Sequence, residues 1–144
     1  MKVMKVAQSP APTIDAKANV YEAVKLMEKS SVGALAVTEK GKLAGVISER
    51  DVMIRVVGAR KAALKTKVKD VMTTTVKTMT PDQDTAEALS VMVENHIRHV
   101  VVVNKKGAVV GLLQMRNAFP AQLEAVEDQL RTLEAYCETD CLGG

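Results

Sequence analysis

At 144 residues the chain has room for one domain or for two small fused halves. Hydrophobic residues make up 47% but aromatics only 2%, with no tryptophan, so a core must come from Val, Leu, Ala and Met, which suits packed α/β layers better than an aromatic stacking surface. A net charge of +3 is too mild to mark a nucleic-acid binder, and no apolar run approaches the roughly 20 residues a bilayer demands.

The opening "MKVMKVAQSP" has basic residues without the apolar centre of a secretory leader. A lead-in "SPAPTI" (9–14) precedes a helix, in which Val20, Ala23, Val24 and Met27 recur at helical spacing. The strand "GALAV" (33–37) has few polar residues, as expected of a strand covered on both faces. After the turn "EKGK", a second strand "LAGVIS" (43–48) runs into a helix starting near Glu49. The stretch from Gly58 to Thr75 is basic at first, through Arg60, Lys61, Lys65, Lys67 and Lys69. It then turns apolar at Val68, Val71 and Met72, so its end is expected to dock on the domain. It lacks interleaved aromatics and reads as a solvated connector rather than a nucleic-acid contact.

The elements then repeat. "TIDAKANVYEAVKLM" (13–27) aligns with "TMTPDQDTAEALSVM" (78–92), and "VGALAV" (32–37) with "IRHVVV" (97–102). "GKLAGVISERDV" (41–52) aligns with "GAVVGLLQMRNA" (107–118), the offset passing from 65 to 66 residues at the turn "NKKG". Pro81 suits the start of the second-half helix, Asp82 or Asp84 its cap, and Ala88, Leu89 and Met92 its buried face. The expected fold is α/β, two β-α-β-β-α repeats packed as a pseudo-two-fold pair. After Phe119-Pro120, Leu123, Val126, Leu130 and Leu133 fall at 3-4-3 spacing, with Glu127 and Arg131 as an i,i+4 pair. This predicts an amphipathic helix over 120–136 that packs on its own domain or crosses to a second copy. The tail 137–144 is expected to be flexible. Its Cys137 and Cys141 cannot staple a core, and with them a cytoplasmic, reducing setting is expected.

Within "GVISERDV" (45–52), Gly45 lets a ligand or a neighbouring backbone come close. Ser48 stands where a strand becomes a helix, and free N–H groups with the positive end of the helix dipole favour phosphate there. Asp51, one turn on, can accept two hydrogen bonds from a ribose diol. The same pair also reads as an ordinary helix cap, Ser48 at N-cap and Asp51 at N3. At the matching places the second half has Gln114 and Asn117, which lack the compact cap and the charge.

The doubled unit, the "GVISERD" turn, the connector "VKDVMT" and the strand "IRHVVVV" resemble a tandem pair of cystathionine-β-synthase (CBS) motifs, a Bateman module, over roughly residues 1–118. The resemblance implies a first motif over 1–59, a connector over 60–72 and a second motif over 73–119. It further implies a non-enzymatic regulatory sensor that pairs as a homodimer and engages a regulated protein. Its ligand would be adenosyl-containing: AMP, ADP or ATP first, S-adenosylmethionine or NADH as alternatives. By the resemblance Asp51 holds the ribose, Ser48 supports sugar and phosphate, and Arg98 and His99 reach the phosphates. Arg98 pairing with a surface acid and His99 filling an interior place stay open beside this. Arg50 points into the cleft or braces a dimer, and Arg55 is a weaker candidate. Backbone groups at Pro12, Thr13, Ile14 and Ala34 would read the base. Gln114 and Asn117 mark a second, weaker site. No catalytic constellation, metal site or membrane segment is expected; His96 and His99, placed on one strand, would face opposite ways. The competing expectation is a dimeric interaction scaffold with a vestigial ligand site.

Overall fold

The computed structural model describes residues 1–142, with side chains through residue 140. Cys141 therefore lies outside the residues described with side chains. The first half holds β1 (Thr13–Asp15), α1 (Val20–Ser30), β2 (Ala34–Glu39), β3 (Lys42–Ser48) and the short α2 (Glu49–Asp51), which widens into a π-helical turn over Val52–Val57. A short helix α3 (Val68–Val71) ends the connector. The second half follows as β4 (Thr78–Met79), α4 (Thr85–Glu94), β5 (His99–Val103), β6 (Val109–Gln114) and α5 (Met115–Leu142).

Each half forms a three-stranded sheet with the same order, β1-β2-β3 and β4-β5-β6. The first strand pairs parallel to the central one and the third antiparallel to it. Both antiparallel pairs slip register at the same point, Val37/Thr38 and Val102/Val103. Helix starts follow the chemistry of their caps. Asn19 Oδ1 accepts from the Glu22 amide at 2.8 Å, and Asp84 accepts from the Ala86 amide. Val20, Ala23 and Met27 of α1, like Ala88 and Met92 of α4, face inward at three- and four-residue steps.

The repeat begins earlier than the alignment from Thr13 indicates. The Val3–Lys5 turn of 3-10 helix is the counterpart of α3, and Val3 and Val6 match Val68 and Val71. Each of these segments packs on the half that it does not lead into. Val68 and Val71 belong to the first half's core, whereas Val3 is buried with Met79, Ala88 and Met92 of the second. Thr73 bridges Val46 on β3, and Gln8 bridges Leu112 on β6. The exchange interlocks the halves, and Val101 and Leu112 of the second half join the first half's core.

The C-terminal helix differs from the sequence expectation. The helix starting at Met115 and the amphipathic stretch after Pro120 are one element, with Pro120 inside it. Proline removes one donor from the ladder, but the remaining bonds and the packing of Ala118 and Ala121 carry the helix through. It continues to Leu142, over positions expected to be a loose tail. Nor does His96 share a strand with His99: it sits in a left-handed turn (φ 54°) after α4, as Ser31 does after α1.

Candidate functional site

Two junctions form where the loop after the last strand of one half meets the start of the other half's central strand, Asp51 with His99 and Gln114 with Gly33, and each is the place of a candidate cleft. In the first, the turn "SERD" closes on itself. The Ser48 amide and hydroxyl donate to Asp51 Oδ2 at 2.9 and 3.0 Å, and the Asp51 amide donates back to Ser48 Oγ at 3.2 Å. This is a capping box, so the cap reading of the sequence is correct for both residues. Asp51 Oδ1 accepts from the Thr73 hydroxyl at 3.0 Å, and Arg55 Nε lies 3.9 Å away. Three of the carboxylate's roughly four acceptor positions are thereby used, and the residue is 8% exposed.

Arg55 also donates through Nη1 to the Val71 and Met72 carbonyls at 3.1 and 2.9 Å. It fastens the π turn to the connector. Gly45 resolves the same way. A Cβ there would stand 2.7 Å from the Thr73 carbonyl oxygen and 2.8 Å from the Met72 sulfur, so the glycine admits the connector's backbone.

His99 opens β5, half-buried. Burial pushes its imidazole below the ordinary 6.5, and the Asp51 charge opposes that shift, which brings the second half's strand start into the electrostatic reach of the first half's loop. Arg98 precedes it, and its guanidinium has no hydrogen-bond or ion-pair partner among the described residues; the Arg98 carbonyl accepts from the Met115 amide at 2.8 Å. The surface ion pair envisaged for Arg98 does not form there.

The second cleft is built differently. Gln114, 7% exposed, reaches across so that its Oε1 accepts from the Gly33 amide at 3.1 Å. Because that partner is a donor, the amide oxygen must face it, and Gln114 Nε2 is left buried without a partner. Two residues on, Arg116 Nη2 donates to the Ser31 carbonyl. Asn117 is partly buried beside them. Counterparts of these cross-half contacts at Ser48 and Arg50 are missing among the described residues, and Arg50 is exposed.

The segment expected to read the base runs into β1, at the opposite edge of the first sheet from Ser48 on β3, with β2 between them. Thr13 and Ile14 pair with Ala36 and Val37, and the Pro12 carbonyl accepts from the Ala36 amide at 3.3 Å. Ala34 pairs directly with Ser48 and is 1% exposed. Ser48, Asp51 and His99 thus come together, Arg50 is exposed, and β1 lies one strand away across β2. Sequence reading missed Thr73, whose hydroxyl donates to Asp51 Oδ1. The signal was available: Gln8 and Thr73 are 65 positions apart, at the repeat offset, just after the matched valine pairs. No group of three or more His, Cys, Asp or Glu side chains that could hold a metal occurs among the described residues.

The structure is a duplicated α/β unit in which the loop of each half meets the strand start of the other, the architecture of an internally paired two-motif module. The model of the CBS domain matches residues 3–58 and again 68–123, and the chain belongs to that family. Among curated proteins it is 36% identical over 124 residues to the mitochondrial CBS domain-containing protein CBSX3 of Arabidopsis thaliana, covering 83% of this chain and 60% of that one. The chain thus spans less than two thirds of that relative's length. A protein with CBS domains from Burkholderia ambifaria superposes with a TM-score of 0.79 at 29% identity, over 85% of this chain and 91% of that one. A CBS domain protein from Pyrobaculum aerophilum, solved in complex with AMP, superposes with a TM-score of 0.74 at 28% identity, over 81% and 89%.

Proposed function

We propose that the chain is a regulatory module that binds an adenine nucleotide, AMP, ADP or ATP, in the first cleft and thereby alters its engagement of a partner protein. The observation that carries this reading is the meeting of two chemistries. The Ser48–Asp51 turn at a helix start stands within the electrostatic reach of His99, and the exposed Arg98, one residue before His99, supplies a cation at the same strand start. Phosphate suits the cation, and ribose suits the remaining acceptor position on Asp51. The AMP complex of the Pyrobaculum aerophilum relative supports the same ligand class. A ligand regulates only if it binds one conformation better than another. The exchanged segment at Thr73 gives this cleft a direct mechanical link, because Thr73 follows α3 at the junction of the connector and the second half.

The second cleft is closed by its own side chains, Gln114 on the Gly33 amide and Arg116 on the Ser31 carbonyl. One nucleotide per chain is therefore expected. Isothermal titration calorimetry with AMP, ADP, ATP, S-adenosylmethionine and NADH tests this directly. Micromolar binding at about one site per chain, weakened about tenfold or more in Asp51→Asn by loss of the charge-assisted contact, is the expected result. Undiminished affinity in Asp51→Asn would remove the assigned site.

The interaction-scaffold reading rests on a separate observation. The Asp51 carboxylate is already committed to Ser48, Thr73 and Arg55, as a purely structural cap would be. Silence of all five titrations, with no thermal shift at saturating ligand, selects that reading.

A further inference from the structure

Beyond Gln122, α5 leaves the domain. From Leu123 onward no side chain is buried through residue 140. The face that packs on the domain uses Ala118, Ala121 and Gln122, the last accepting from the Thr85 hydroxyl at 2.9 Å. A different face carries Phe119, Leu123, Val126, Leu130, Leu133 and Cys137. These step 4-3-4-3-4 along the helix, and Phe119 through Leu133 are each 48% exposed or more. Strict alternation of three and four is the narrow a/d seam of a coiled coil, not the broad stripe of a domain-packing helix. With Leu123 at a, the domain contacts Ala118 and Ala121 occupy c and f, on the side away from the seam.

The flanking residues select the occupant and its direction. Gln122 and Gln129 fall at g, Glu127 and Glu134 at e. In a parallel pair each g position faces the e position of the partner's next heptad, so every Gln meets a Glu. In an antiparallel pair e faces e, and carboxylate meets carboxylate. We propose that two copies of this chain join their α5 helices as a parallel, in-register coiled coil over Phe119–Cys137, which sets the two Cys137 side chains against each other. The proposal does not depend on nucleotide binding.

Disulfide trapping in the full chain tests it. Cys141→Ser leaves Cys137 as the single cysteine. Diamide takes two protons and two electrons from a pair of thiols, becoming its hydrazine, as the sulfur–sulfur bond forms. Rapid conversion to a covalent dimer on non-reducing gels is expected. Leu130→Glu in that background should slow it about tenfold or more, since the seam would then bury an unpaired carboxylate. Leu130 is exposed within its own chain, so an unchanged circular dichroism melt of the domain separates this loss from misfolding. With Cys137→Ser as well, Ala135→Cys at the outward f position should cross-link only at the slow rate. Failure of Cys137 to cross-link, insensitivity to Leu130→Glu, or equal rates at 135 and 137 would each overturn the proposal.

Discussion

Asp51 carries two duties at once. It caps α2 and, through Thr73, holds the connector against the first half, so its removal costs stability as well as any ligand contact; Asp51→Ala should lower unfolding free energy by ~1–2 kcal/mol. Gln114 is the residue that makes the clefts unequal. Gln114→Ser with Asn117→Asp rebuilds the first half's pattern in the second and frees the Gly33 amide, and calorimetry should then count about two nucleotides per chain. A count that stays at one would mean that Gln114 does not close that cleft. His99 sets a pH dependence. Its folded imidazole protonates below 6.5 because burial disfavours the charged form. Between that lower value and 6.5 the unfolded chain binds more protons, so stability present above 6.5 is lost as pH falls through the folded pKa. Urea midpoints measured from pH 7.5 to 5 should fall, and His99→Gln should flatten the descent. An equal slope in His99→Gln would assign the effect elsewhere.

At the scale of elements, the two third strands accept an exchanged segment across a glycine, but with different tolerance. A Cβ on Gly45 meets connector backbone at 2.7 Å, whereas on Gly111 the nearest atoms are the Met4 sulfur at 3.2 Å and the Ala7 Cβ at 3.3 Å. A backbone carbonyl cannot step aside as a flexible thioether can. Gly45→Ala should therefore destabilise by ~1–3 kcal/mol and Gly111→Ala by clearly less, as read from denaturant melts of the two variants. The π turn after α2 has the same logic. It aligns Arg55 with the Val71 and Met72 carbonyls, so helix geometry in the first half is adjusted to hold the connector.

For the whole molecule, the exchange of lead segments means that neither half owns a complete core. Val68 is fully buried in the first half's core and Val3 in the second's. Val68→Ala and Val3→Ala should each cost ~1–3 kcal/mol, and each should move one common unfolding transition rather than split it in two. Separate melting of two halves would show that the interlock is not cooperative. Among the described residues no helix is long and apolar enough to cross a membrane. Most of the exposed large apolar residues lie instead on helices, at Val24, Met53, Ile54, Val57 and Val93 as well as along α5.

Several features needed only the chain. Duplication, the β-α-β-β-α order and the Ser48–Asp51 cap are local patterns: periodicity, turn residues and hydroxyl-to-amide spacing act within a few positions. The family followed from the same residues. Other features needed three dimensions. Which half each lead segment packs on, the Thr73 hydroxyl on Asp51, and Gln114 reaching Gly33 are contacts between residues 22 and 81 positions apart. No spacing rule encodes them, because they depend on how two sheets meet. Pro120 shows the converse. Its local preference to end a helix was overridden by packing at Ala118 and Ala121, a tertiary energy that propensity does not contain.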